Sequence, residues 1–168
     1  MPPETSRGVR MMDYRTGSLE LIPNRFSGGH CLFCGEANPR GLKLEFYENK
    51  TEPGELVCTW AADKEYAGFG RVLHGGIQTG LCDEIMGWTT WHVLGEPAVT
   101  GSIHIDFVRP LYVEQSIEAR CRIESRDGKV VNLRVEIRDQ QDVVCTKATG
   151  AYVQVKPDTF DELVGVVD

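Results

Sequence analysis

His74, Gly75 and Gly76 open a stretch of helical spacing, and an acid, Asp83, follows nine residues after the histidine. That pattern can hold and attack a carbonyl group. The first N–H groups of a helix have no intrahelical acceptor, and the macrodipole makes that end locally positive. Glycines there let an oxygen come close to the amides, so an oxyanion can be held without a cationic side chain. An acid further along the same helix could then activate water as a general base, or attack as a nucleophile. On a wheel of 100° per residue, Ile77, Leu81, Ile85, Met86, Trp88 and Val93 spread over a broad apolar arc. The remaining sector holds Gly76, Thr79, Gly80, Asp83, Gly87 and Thr90, with no bulky side chain. Gly80 and Gly87 each cost a helix interior about 1 kcal/mol relative to Ala. Either a second backbone packs there or a ligand must approach, and Asp83 in that sector favours the ligand. Glu84 falls at the edge of the apolar arc near Trp88 and Trp91, and reads as a structural acid bonded to a sheet residue or a partner chain. Asp83 is the expected reacting acid.

Other candidates read more plainly. His74 suits helix entry, and His104 sits with Ser102 and Asp106 on the polar face of a strand. His30-Cys31-Leu32-Phe33-Cys34 raises a metal question. Zinc takes four ligands and one C-x-x-C supplies two, so Cys58 or a second subunit would have to complete a site. A structural cap, in which Asn38-Pro39-Arg40-Gly41 turns the chain into the first strand, is favoured over zinc at Cys31/Cys34, and zinc over redox chemistry. Cys82, Cys121 and Cys145 fit as filler in helix and strand patterns.

The elements that must position these residues follow from periodicity and turn chemistry. Residues 1–29 are polar with little pattern and read as a partly disordered arm. GLKLEFYEN and GELVCTWAA read as two strands joined by NKTEPG, and the helix spans about residues 75–94. VTGSIHIDFVRP, SIEARCRIESRD, KVVNLRVEIRD and VVCTKATGAYVQV are four β-type runs, with turns at Asp127-Gly128 and Asp139 to Asp142. The tail, 157–168, carries a short helix with Asp158 as its N-cap. The chain is thus one α+β domain over 30–156, a long helix wrapped by an antiparallel sheet of about five or six strands. At 168 residues, 41% hydrophobic and 26% charged, it can bury a core. Its net charge of −7, with no basic run, argues against nucleic acid. No run approaches the ~18 apolar residues of a membrane span. MPPETSRGVRMMDYRTG lacks an apolar signal core, so the expectation is a cytoplasmic chain with its six cysteines as thiols.

HGGIQTGLCDEIMGW followed by VTGSIHIDFVRPL resembles the hotdog-fold acyl-CoA thioesterases, in the PaaI-like branch of the 4-hydroxybenzoyl-CoA thioesterase superfamily. CLFCGEANPRGLKLEF is similar to an N-terminal motif of some members, so the resemblance covers roughly residues 30–155. It implies hydrolysis of an acyl-CoA thioester by homodimers or homotetramers, with active sites at a subunit interface and no metal or redox cofactor. Carried onto this chain, it makes Asp83 the base or nucleophile and the Gly75 amide the oxyanion donor. Thr100 would position water, with His74, Gly76, Gly68, Gly128 and Lys129 contributing to substrate binding. Many relatives carry an Asn or Gln near position 68, where this chain has Gly68. That departure keeps a second reading open, a non-catalytic module that binds or senses acyl-CoA. A hotdog dehydratase or hydratase would carry its His and acid in a different motif.

Overall fold

The computed structural model describes residues 18–25 and 28–164. Its strands are β1 (Leu19–Leu21), β2 (Tyr47–Asn49), β3 (Leu56–Ala61), β4 (Ala98–Phe107), β5 (Ser116–Asp127), β6 (Val130–Arg138) and β7 (Val144–Gln154). Two helices accompany them, α1 (Gly75–Leu94) between β3 and β4, and α2 (Pro157–Val164) after β7. The strands form one antiparallel sheet in the order β1-β2-β3-β5-β6-β7-β4. That sheet curls around α1, which touches β3, β4, β5, β6 and β7. This is the expected α+β hotdog architecture.

The core face of α1 is Gln78, Leu81, Cys82, Ile85, Met86, Thr89 and Thr90. Their spacing alternates between three and one, the pattern of two neighbouring rows along one side of a helix. Thr90 therefore faces the core and not the cleared sector expected of it. It tolerates burial because its hydroxyl donates to the Met86 carbonyl at 3.0 Å, as that of Thr89 does to Ile85 at 2.7 Å. Ile77 and Trp88, expected in the apolar arc, are half-buried at its margin. The helix stops at Gly95, whose φ of 74° is the left-handed C-cap conformation that glycine adopts without strain.

Seven strands form where five or six were expected, because the arm contributes one. Leu19–Leu21 pairs with β2 at the sheet margin. Of the arm assignment, residues 1–17 and 26–27 lie outside the described residues. The strand expected over residues 41–49 pairs in the sheet only at Tyr47–Asn49. Its alternation is real, since Leu42, Leu44 and Phe46 are all buried. The Leu42 and Leu44 amides, however, donate to the carbonyls of Leu32 and Phe33 at 2.8 and 2.9 Å. The tail helix starts at Pro157, so Asp158 lies in the first turn and not at the N-cap.

At the opposite margin, among the described residues, β4 pairs with β7 on one side only, leaving a ten-residue edge. No helix among the described residues is long and apolar enough to cross a membrane.

One core acid lends the fold a pH dependence. Glu118 is buried on β5, and its Oε2 has no hydrogen-bond partner among the described residues, although Arg120 donates to Oε1. Burial raises its carboxyl above the ordinary range despite the Arg120 contact. A raised acid stabilises the fold in its protonated form, so this contribution is complete below the ordinary carboxylate range and is lost as pH rises through the raised value. Urea midpoints of wild type and Glu118→Gln should therefore be similar in acid, with the wild type falling behind as the pH rises. A constant difference across that window would contradict the assignment.

Candidate active site

Asp83 lies two turns into α1, on the wall of a cavity of about 640 Å³ that it shares with Cys31, Glu84, Trp88, Thr100 and Tyr152. Its Oδ1 accepts from the Thr100 hydroxyl at 2.7 Å and from the Tyr152 hydroxyl at 2.5 Å, and Tyr152 also reaches the Asp83 carbonyl at 3.0 Å. Among the described residues nothing bonds Oδ2. The carboxylate is thus anchored through one oxygen only, and an acid so held in a cavity wall can orient and deprotonate a water.

Local sequence builds this clamp. Thr100 and Tyr152 are directly paired across β4 and β7, so both side chains leave the sheet on the face toward α1. The register then shifts at Gly101, where a Cβ would stand 2.9 Å from the Ala151 carbonyl. A bulge there needs glycine and frees the rest of β4 to follow its own register. Gly150 lets β7 approach the helix, since a Cβ there would meet Met86 Sδ at 2.5 Å. Burial and the Asp83 hydrogen bond push the Tyr152 phenol well above its ordinary range, so it remains a donor. Tyr152 did not emerge from the sequence reading. Its signal is weak, one aromatic among the small residues of ATGAYVQ, and its role depends on the β4–β7 pairing.

The helix start forms a second cluster. His74 is the N-cap, and its Nδ1 accepts from the Gly76 amide at 2.9 Å. That uses the Gly76 donor for capping. The Gly75 amide has no acceptor among the described residues and remains available. Phe107 lies over Gly75, 3.3 Å from where a Cβ would stand, and Gly68 lies against His74. The nearby amide side chain of Gln78 is engaged at both ends, by the Leu73 carbonyl at 2.9 Å and the Thr146 hydroxyl at 2.5 Å. Of the expected site residues, Asp83 and Thr100 meet in the cavity, whereas His74, Gly75, Gly76 and Gly68 gather at the far end of the same helix. Gly128 and Lys129 form the β5–β6 turn. Their carbonyls accept from Arg126 Nε at 3.1 Å and the Gln154 amide at 2.8 Å, away from the cavity lining.

The two adjacent acids have different surroundings. Among the described residues Glu84 bonds to no sheet residue. Its Oε1 accepts from Trp88 Nε1 at 3.2 Å, and both its oxygens lie near the Cys31 thiol, at 3.6 and 3.4 Å. Burial first, then the Glu84 carboxylate, hold the Cys34 thiol well above the ordinary range.

The two glycines of the cleared sector also separate. A Cβ on Gly80 would lie 1.9 Å from Phe33 Cζ, so an aromatic ring of the N-terminal segment occupies that gap. Gly87 has nothing within 4 Å and opens onto the cavity. Gly87→Ala should stabilise the helix by up to about 1 kcal/mol, the intrinsic propensity difference. Gly80→Ala should destabilise in spite of the same propensity gain, because Phe33 must leave its seat. Urea denaturation of the two variants gives opposite signs on this account; equal signs would contradict it.

Residues 70–146 match the thioesterase superfamily. No curated protein sequence matches the chain. Among solved structures, it is similar to a thioesterase superfamily protein at 21% identity and a TM-score of 0.68, over 74% of this chain and 60% of the other. It is also similar to the Escherichia coli PaaI protein of the phenylacetic acid degradation operon, at 20% identity and a TM-score of 0.60, over 68% of this chain and 80% of that one. A Streptococcus mutans protein bound to acetyl-CoA gives 21% identity and a TM-score of 0.58, over 62% and 84%. The chain thus spans less than two thirds of the length of the first of these. At such identities the likeness establishes a shared fold.

Proposed function

We propose that this chain, whose residues 70–146 match the thioesterase superfamily, hydrolyses an acyl-CoA thioester to the free acid and CoA. The observation that carries the reading is the Asp83 carboxylate in the wall of a cavity, anchored through Oδ1 by Thr100 and Tyr152. On this reading Asp83 activates water or attacks the carbonyl, Thr100 and Tyr152 position it, and the Gly75 amide stabilises the oxyanion. CoA-bound relatives of the same fold support the choice of leaving group.

The helix itself argues for a second copy. Gly75 and Asp83 are eight residues apart, which is ~12 Å along the axis at 1.5 Å per residue. One thioester carbonyl cannot be within reach of both, since base and oxyanion donor must each come within ~3 Å of the reacting group. The unpaired ten-residue β4 edge suits strand addition by a second copy. A two-fold pair would set the Gly75 end of one α1 beside Asp83 of the other. The homodimer, or a homotetramer built from it, would then carry each site between two chains.

Release of thiol from a panel of aliphatic and aromatic acyl-CoAs tests the reaction. Asp83→Asn should lower turnover by about 10²–10⁴-fold while acyl-CoA binding persists. Near-normal turnover in that variant would overturn the assignment. The alternative, a module that binds acyl-CoA without hydrolysing it, is motivated by Gly68 standing where relatives carry an amide side chain. Ligand-dependent stabilisation with no thiol release would select it.

Gly75→Pro tests the shared site. It removes the N–H at the first helical position, where proline is tolerated, the His74 ψ of 132° suits a residue before proline, and the added ring needs a small shift of Phe107, 3.3 Å from its Cβ. Loss of one oxyanion donor should cost about 10²–10³-fold. Mixing Asp83→Asn with Gly75→Pro chains should restore activity, because one of the two sites in a mixed dimer then has both groups intact. Absence of recovery in demonstrably mixed dimers would place both groups in one chain.

A further inference from the structure

The C-x-x-C turn and Glu84 are separated by some fifty residues in the chain and converge beside Asp83. The Cys31 thiol, the Cys34 thiol and a Glu84 oxygen all lie within 4.8 Å of one another. We infer that these three side chains form a zinc-binding site on the wall of the Asp83 cavity, with its fourth position turned to that cavity.

Ligands held ~2.0–2.3 Å from a tetrahedral ion stand roughly 3.3–3.8 Å apart. The separations between Cys31 Sγ and the Glu84 oxygens, 3.4 and 3.6 Å, already fall in that range. Bringing the whole set to an ion needs shifts of about an ångström at side-chain ends. Two thiolates and one carboxylate make a soft donor set that favours zinc over magnesium or calcium. Cys31, Cys34 and Glu84 all line the cavity, as does His30, so the open coordination position faces the space beside Asp83.

The turn is built in advance. The Phe33 amide donates to Cys31 Sγ at 3.3 Å, which fixes where that sulfur stands. The Gly35 amide closes the turn on the Cys31 carbonyl at 3.1 Å, and a Cβ at Gly35 would lie 2.4 Å from the Cys31 nitrogen, so only glycine fits. Lys43 Nζ gathers the carbonyls of Gly35, Glu36 and Asn38 at 2.8, 2.6 and 2.5 Å. Asn38 Nδ2 holds the His30 carbonyl at 3.2 Å. Support of this kind for a short loop is what a metal site needs around its ligands.

The docking onto α1 is also in register. Gly80 and Glu84 are one helical turn apart on the same face. Phe33 seats on Gly80 and Cys31 meets Glu84. The aromatic between the two cysteines thus sets where the thiols fall along the helix, and they fall on an acid. Cys58 is buried on β3 and does not join the cluster.

The test uses the full chain, reduced and stripped with a chelator, and Co²⁺ as a spectroscopic substitute for zinc. The expected result is uptake of one Co²⁺ per chain, with a near-ultraviolet thiolate-to-cobalt band and the visible bands of a tetrahedral ion. Cys31→Ser, at a half-buried position, should lose most of the thiolate band, and Cys34→Ser likewise if it folds. Glu84→Gln keeps both thiols and its helical position. It should weaken Co²⁺ at least by the roughly tenfold that loss of even an outer-shell partner brings. Zn²⁺ should raise the thermal midpoint of the wild type more than that of Glu84→Gln. A reduced wild-type chain with no thiolate-to-cobalt band overturns the proposal, and so does a band unchanged in both Cys31→Ser and Glu84→Gln. These readouts do not involve hydrolysis, so their failure would leave the proposed function standing.

Discussion

Two hydroxyl groups from neighbouring strands grip one carboxylate oxygen of the central helix, and most of the site's geometry follows from that contact. Thr100 and Tyr152 reach Asp83 only if β4 and β7 are paired in the observed register, and only if β7 passes close to the helix. Gly101 and Gly150 supply those conditions, one by a bulge and one by close approach. Hydrogen bonds to an ionised acceptor are stronger than neutral ones, so the clamp also locks the helix's rotation about its own axis. The same contacts leave Oδ2 without a partner among the described residues. Position and hydrogen bonding of the acid are consequences of a single set of contacts.

The helix serves three neighbours, which is why it is poorly segregated into apolar and polar sides. Its Gln78-to-Thr90 rows are buried in the curl of the sheet. A second side receives the N-terminal segment, with Phe33 on Gly80 and the Cys31–Cys34 turn on Glu84 and Trp88. A third, marked by Asp83 and Gly87, borders the cavity. Adjacent acids on a helix point 100° apart, and here that angle separates a carboxylate held by sheet hydroxyls from one held by an indole and a thiol. Glycine inside the helix therefore has two different reasons. Gly80 is a seat for an aromatic ring, and Gly87 is open space.

The N-terminus and Asp83 of α1 cannot meet in one chain, because an α-helix is rigid and rises a fixed amount per residue. A chemistry that uses both needs a second helix brought alongside. Among the described residues β4 presents an edge with no partner, and the clamp residue Thr100 sits near its start. On the proposed reading, joining two copies at this edge would complete the sheet and the site together, so assembly and activity become one requirement.

Much of this was legible in the sequence. The β-β-α-β-β-β-β order, the helix limits at Gly75 and Leu94, the stop at Gly95 and the turns at Gly128 and Asp139 follow from local rules of periodicity, capping and turn chemistry. The placement of His74, Gly75 and Asp83 along one helix is also local. Three things were not. The short strand at Leu19–Leu21 has too little pattern to be seen before its partner β2 is in place. Leu42 and Leu44 alternate like a strand, and alternation does not say whether the partner is a sheet or the Cys31–Cys34 turn. Tyr152 and Glu84 gained their roles from residues 69 and 53 positions away, through strand pairing and the docking of Phe33 on Gly80. Sequence alone determined what each segment is, because secondary structure answers to near neighbours. Only the tertiary structure decided which acid meets which partner, because those contacts depend on register and close approach between distant segments.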